Sequence, residues 1–249
     1  FDSYTNHYRF TMVLSLERWK GKVAIVTGAS AGCGASIAEI LVQNGLQVVG
    51  LARREERIKQ LADRLKNQPG KLHAFKCDIS LEEDIVAAFK WIKDNLGPVH
   101  ILINNAGIAR PSTLIEGKPS DWLDVLKTNV LGLSTATKLA VLDMKENQID
   151  GQIIHVNSAL GHFIGDVPDL NVYPASKFAV TALTEILRRD LNRIGSKIKI
   201  TSISPGPIET EFQVASNSES SNDFDEFFDK VPKLLAEDVA DAVVYVTPD

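Results

Sequence analysis

Cysteine is scarce in this chain: Cys33 and Cys77 are the only two among 249 residues. They stand far apart and lack metal-ligand spacing, which excludes a disulfide framework and a cysteine-based metal site. A reducing, cytoplasmic setting is expected. No histidine has a second ligand at suitable spacing, so no metal is expected either. Long apolar runs are missing: none approaches the ~18 residues that a spanning helix needs. The N-terminus has no signal-peptide pattern, since Met12-Val-Leu-Ser-Leu16 is too short for an apolar signal core. Basic blocks are absent and the formal net charge is -5, which argues against a nucleic-acid partner. The first methionine is Met12. Residues Phe1–Thr11, polar and aromatic, read as a vector-derived or translated leader ahead of a natural start at Met12. Residues 12–249 then form one domain.

What the chain does contain is ordinary for a globular protein. Hydrophobic residues make up 44% and charged residues 24%, enough for a sizeable core. Short apolar runs alternate with helical patterns. Strands are expected at Val23–Thr27, Leu46–Ala52, Leu72–Ile79, His100–Asn104, Gln152–Asn157 and Ile198–Ser204. Helices are expected at Ala35–Asn44, Arg54–Lys66, Leu81–Asn95 behind a capping Ser80, Ser120–Glu146, Tyr173–Ile194 and Ala236–Val246. Strand–helix alternation with continuous apolar strands predicts an α/β fold: a Rossmann-like, doubly wound parallel sheet with helices on both faces. Ala215–Asp223 is a polar, serine-rich stretch. It reads either as a plain surface connection or as a lid over a site beyond the strand ends.

Two local patterns carry chemistry. The first is Thr27-Gly-Ala-Ser-Ala-Gly-Cys-Gly34, between the first strand and the first helix. Its glycines permit a tight turn and close approach to a pyrophosphate, and the following helix offers free N–H groups. The spacing is Gly-x-x-x-Gly-x-Gly rather than the common Gly-x-Gly-x-x-Gly. The second strand then ends Ala52-Arg53-Arg54, where an NAD site usually places an acid for the ribose 2′-hydroxyl. Guanidinium groups there suit a 2′-phosphate and predict NADP(H); the alternative is that both arginines merely open a solvated helix. The second pattern is Tyr173-Pro-Ala-Ser-Lys177, which puts a phenol and an ammonium one helical turn apart. A nearby ammonium is expected to lower the phenol pKa and make a proton carrier. Taken alone, the pair also fits an ordinary helix surface.

With these motifs in place, the chain resembles the short-chain dehydrogenase/reductase family over nearly its whole length. The likeness rests on Gly28, Gly32 and Gly34, Asp78, Asn104-Asn-Ala-Gly107, Asn129, Ser158, Tyr173 with Lys177, and Pro205-Gly206 with Thr210. Leu16-Glu-Arg-Trp19, Ala106-Gly-Ile-Ala-Arg-Pro111 and Ala179-Val-Thr-Ala-Leu-Thr-Glu185 look like the member 11 group of that family, which includes insect farnesol dehydrogenases. The resemblance implies NADP-dependent interconversion of an alcohol and a carbonyl on isoprenoid or steroid-like substrates, and assembly into homodimers or homotetramers.

It also implies site roles. Tyr173 would exchange a proton with the substrate oxygen, Ser158 would hydrogen-bond that oxygen, and Lys177 would hold the nicotinamide ribose. Asn129 would help hold a water linking Lys177 to solvent. The cofactor would lie along Gly28, Ser30, Ala31, Gly32, Cys33 and Gly34, then Arg53, Arg54, Asp78 and Ile79. It would continue along Asn105, Ala106 and Gly107 to Tyr173, Lys177, Pro205, Gly206, Ile208 and Thr210. Cys33 stands where the family usually has isoleucine or leucine and reads as structural. Family members continue into a seventh strand, for which no sequence appears before Asp249. Leu160, Phe163, Ile164, Val167 and Leu170, with Phe212, Val214, Phe224, Phe227 and Phe228, are expected either to line a lipophilic pocket or to pack the core or a subunit interface. His155 reads as a strand residue facing a helix, and His162 as a pocket neighbour with no nameable partner. A non-catalytic NADP-binding sensor and a structural subunit are the competing readings; the presence of both Tyr173 and Lys177 weighs against the sensor.

Overall fold

A computed structural model describes residues 15–211, 226 and 229–247. The expected leader, the serine-rich stretch Ala215–Asp223 and the aromatic group from Phe212 to Phe228 lie outside these described residues. Six strands form one sheet: β1 (Val23–Thr27), β2 (Gln47–Ala52), β3 (Lys71–Lys76), β4 (Val99–Asn104), β5 (Gln152–Val156) and β6 (Lys199–Ile203). Their order is β3-β2-β1-β4-β5-β6, and every pairing is parallel. β1 and β5 are buried along their whole length. That is why β1, Val23-Ala-Ile-Val-Thr27, shows no polar alternation, while β5 buries Gln152 and His155 among its apolar residues.

The four apolar β1 side chains divide between two cores. Ala24 and Val26 point into one, with Ile37, Leu41 and Val42 of α1 (Gly32–Gln43) and with Val239 and Val243. Val23 and Ile25 point into the other, with Ala88 and Ile92 of α3 (Glu82–Asn95). α2 (Glu55–Arg64) packs Ile58 and Leu61 onto the first core. Full burial of a side chain such as Ile25 contributes about 1.5–3 kcal/mol. The period of two along each strand thus sets a doubly wound sheet with helices on both faces.

The expected helix over Ser120–Glu146 is broken in three. α4 (Pro119–Leu126) passes into a π-helical segment, Lys127–Gly132, before α5 (Leu133–Glu146) continues. Two tertiary contacts explain the break. The Asn129 amide is drawn to the backbone of Ile108, and Gly132 lies so close to Ile79 that an added Cβ would run into its carbonyl oxygen. A wide turn of this kind often marks a functional site. α6 (Tyr173–Arg193) and α7 (Ala236–Val246) complete the helices used below.

Two smaller expectations are also corrected. β3 stops at Lys76 rather than Ile79, because Asp78 turns away: its N–H donates to Asp84 Oδ2 at 2.8 Å. Ser80 does not cap α3. Its hydroxyl donates to Asp78 Oδ1 at 2.7 Å instead, and Leu81 holds the cap position.

The order of strands reverses between the neighbours β1 and β4: β2 and β3 lie on one side of them, β5 and β6 on the other. Ligands of such folds bind beyond the carboxyl ends of the strands at this point. The loops leaving β1, β4, β5 and β6 therefore bring their residues together there.

Candidate active site

At the end of β1 the chain turns through Gly28–Ala31 into α1. The first N–H groups of a helix have no acceptor within it, and they are left facing this turn. Gly34 sits against the turn so tightly that an added Cβ would strike the Gly28 carbonyl oxygen and come within 2.5 Å of Asn105 Nδ2. The Asn-Asn-Ala-Gly loop after β4 is fastened to the same place. Thr27 Oγ1 accepts the N–H groups of Asn105 and Ala106, both at 3.0 Å, and Asn105 Nδ2 donates to the Thr27 carbonyl at 2.9 Å. Thr27, absent from the sequence-derived site, is thus the peg that joins the two loops.

Cys33 is half-buried and unpaired. Burial, the largest cause, pushes its thiol up to about 11, so it stays protonated at neutral pH and acts as a small hydrophobe. Asp78 accepts from both the N–H and the hydroxyl of Ser80 through Oδ1, and Ile79 packs into the second core. Arg53 is exposed at the end of the second-strand region. Arg54 reaches back to the glycine turn, its Nη2 lying 3.4 Å from Ser30 Oγ. Beyond β6, the Pro205 carbonyl accepts the N–H of Ala159 at 2.8 Å, an added Cβ on Gly206 would meet open space, and Ile208 pairs with Leu234 in an isolated bridge.

Ser158 follows β5 and caps a short 3-10 turn, Ala159–Gly161, by accepting the Leu160 N–H at 3.1 Å. The same hydroxyl is hydrogen-bonded to the Tyr173 phenol. Tyr173 opens α6 with Pro174 beside it, where a missing N–H costs nothing. One turn on, Lys177 is buried; its Nζ donates to the Val156 carbonyl at 3.2 Å and lies 5.7 Å from the centre of the Tyr173 ring. Ser158, Tyr173 and Lys177 therefore lie together.

The expected electrostatics differ. The Tyr173 phenol is pushed up to about 12, not down: burial is the main cause, and the Ser158 hydrogen bond lowers it only in part. Burial likewise pulls Lys177 down to about 8. Both groups lose hydration in an enclosed corner, and that loss sets the direction of both shifts.

Asn129 joins the cluster by a route that spacing does not reveal. Its Oδ1 accepts the Ile108 N–H at 2.9 Å, and its Nδ2 donates to the Ile108 carbonyl and to Ser176 Oγ, each at 3.0 Å. Ser176 in turn donates to the Tyr173 carbonyl at 2.6 Å. Ser176 was missed as a site residue, although it lies inside the Tyr173–Lys177 motif. It ties the π segment and the loop after β4 to the first turn of α6.

The two histidines are accounted for. His155 faces helices on one side of the sheet, with Nδ1 3.0 Å from Thr184 Oγ1, and burial pushes its pKa down to about 4. His162 has a partner after all, Ser204 Oγ at 2.9 Å from its Nε2. An open cavity of about 710 Å³ lies beside α6, lined by Ile164, Val167, Leu170, Pro174 and Phe178 among others. Leu160 and Phe163 do not line it, and Phe163 is exposed. The cavity adjoins the start of α6 through Pro174 and Ala175 without including Ser158 or Tyr173. Among the described residues, no helix is long and apolar enough to cross a membrane and no cluster of metal-ligating side chains occurs.

The family model for short chain dehydrogenases matches residues 22–221. The chain is 46% identical over 233 residues to a farnesol dehydrogenase of Aedes aegypti, covering 93% of this chain and 91% of that one. It is 44% identical over 234 residues to dehydrogenase/reductase SDR family member 11 of Homo sapiens, covering 93% and 90%. Among solved structures, a short chain dehydrogenase/reductase from Burkholderia phymatum in complex with NAD superposes with a TM-score of 0.82 at 26% identity, covering 92% of this chain and 86% of that one. With the family model matching residues 22–221 and these relatives matching over most of its length, this chain belongs to the short chain dehydrogenase family.

Proposed function

We propose that this oxidoreductase uses NADP(H) to interconvert a lipophilic alcohol, isoprenoid or steroid-like, and its aldehyde or ketone. The observation that carries the reading is the convergence of Ser158, Tyr173 and Lys177 beyond the same strand ends as the glycine turn. The residues fit a dinucleotide: the glycine turn leaves room only for a bare backbone at Gly34, and the open start of α1 suits a pyrophosphate. The relative that acts on farnesol and the apolar cavity beside α6 support the substrate class. Cytoplasmic location and a homodimeric or homotetrameric state belong to the same proposal.

Hydride is what the nicotinamide supplies when bound, together with a positive charge in its oxidised form. The protein handles the proton. At a pKa of about 12, Tyr173 holds its proton firmly at neutral pH and is set as the acid that protonates a carbonyl oxygen during reduction. A positive charge brought beside it lowers that pKa and adapts it to accept the alcohol proton in oxidation. The Ser158 hydroxyl stabilises charge developing on the same oxygen. Lys177, buried against the Val156 carbonyl, holds the cofactor ribose. Asn129 has both amide donors engaged, so it acts first as a positioning residue; a water leading to Lys177 would use its remaining acceptor capacity.

The choice of NADP(H) rests on Arg54, which turns toward Ser30 where a ribose phosphate would lie. Paired N–H donors recognise a phosphate strongly. Arg54→Ala is expected to weaken NADPH about tenfold, corresponding to the ~1.4 kcal/mol of one charged hydrogen bond, while leaving NADH unchanged. Steady-state kcat/KM with each coenzyme checks this. A wild-type preference for NADH would end the NADP reading.

A further inference from the structure

Arg57 and Glu211 are 154 positions apart in the chain, yet Arg57 Nη1 donates to Glu211 Oε2 at 2.5 Å. The same oxygen lies 3.5 Å from Arg54 Nη1. A single carboxylate oxygen is therefore shared by two guanidinium groups, one of which also approaches Ser30 of the glycine turn. The segment carrying the carboxylate lies over that turn: the Thr210 methyl is 3.1 Å from where a Cβ on Gly32 would stand. Arg57 lies in the first turn of α2, three residues after Arg54, which holds the cap position ahead of that helix.

We infer that Glu211 is a coenzyme-specificity residue: its carboxylate occupies the Arg54–Arg57 pair in place of the coenzyme 2′-phosphate, and Arg57 is a second guanidinium for that phosphate. The inference rests on the NADP(H) reading above. A carboxylate and a phosphate monoester seek the same N–H donors and repel each other. Binding of NADPH must therefore displace Glu211, whereas NADH, with a neutral 2′-hydroxyl, has no need to. The charge of Glu211 thus weakens the phosphorylated coenzyme selectively and trims the preference that the arginines create. The arginines hold the Glu211 carboxyl below its ordinary pKa, chiefly through the Arg57 hydrogen bond, so it is ionised throughout the neutral range. All three side chains are about half exposed, which keeps the competition modest and sensitive to salt.

The test is equilibrium binding of NADPH and NADH, read by fluorescence of the reduced nicotinamide. Glu211→Gln is expected to tighten NADPH about two- to fivefold, the range of an exposed ion pair, with NADH unchanged. The gain should shrink in high salt. Arg57→Ala is expected to weaken NADPH selectively, and adding Glu211→Gln to it should recover little. Unchanged or weaker NADPH binding in Glu211→Gln, at unaltered melting temperature, overturns the inference. The coenzyme reading stands in that case if wild type still prefers NADPH and loses the preference in Arg54→Ala. Equal binding of NADPH and NADH by wild type overturns both.

Discussion

Tyr173→Phe is expected to lower kcat by about 10²–10⁴-fold, the usual contribution of a positioned proton carrier. It should leave NADPH affinity largely intact. The substitution removes one oxygen and nothing else. The ring keeps its place at the start of α6, and Ser176 still binds the residue-173 carbonyl. Ser158 keeps its bond to the Leu160 N–H, so the loop after β5 has no reason to move. The loss should fall on kcat and kcat/KM alike, which identifies an interaction made in the transition state. An unchanged kcat would remove Tyr173 from the mechanism.

Gly34→Ala is the second large effect. The new methyl would meet the Gly28 carbonyl oxygen and approach Asn105 Nδ2 to 2.5 Å. Neither neighbour is a flexible side-chain end. The Gly28 carbonyl is main chain, and Asn105 is held by the Thr27 carbonyl. Overpacking of this kind costs about 1–3 kcal/mol, a fall in Tm of roughly 2–4 °C for each kcal/mol in a domain of this size. The displacement occurs where the pyrophosphate would bind, so NADPH affinity should drop by about tenfold or more, one decade for each ~1.4 kcal/mol. Thermal melting and coenzyme titration of the variant check both parts. Wild-type melting with wild-type affinity would show that the turn is not a close-fitting cradle.

The elements that follow from local pattern were readable in the chain. Six short runs became six parallel strands; β1, buried on both faces, leaves no polar alternation to misread, while the edge strands β3 and β6 are only partly buried. The glycine turn, Ser158, Tyr173 and Lys177 each stand beside a strand end or open a helix, and one topology brings them together. What escaped reading depends on distant partners. The π segment arises because Asn129 is bonded to Ile108 and Gly132 abuts Ile79, neither of which helical periodicity can register. Ser80 had the residue type of a cap but bonds Asp78. Glu211 meets Arg57 only across the fold.

The direction of the Tyr173 shift belongs to the same class. Spacing says that an ammonium is near; it does not say how much water both groups have lost. Burial raises the phenol to about 12 and lowers the ammonium to about 8. The sequence-based picture of an already activated tyrosine therefore becomes one of a strong proton holder, whose pKa is lowered only when positive charge arrives. In the proposed reaction this would order the chemistry: Tyr173 would be prepared to give a proton before oxidised cofactor binds, and to take one once it is bound.

The most direct measurement is turnover itself. Purified protein with NADP⁺ and a panel of farnesol, geraniol, steroid alcohols and small secondary alcohols should show growth of the reduced-nicotinamide absorbance, fastest with a lipophilic alcohol. The corresponding carbonyls with NADPH should show its decay. Absence of turnover with every alcohol and every matching carbonyl, in protein that binds NADPH, would contradict the account and leave a coenzyme-binding protein without this chemistry.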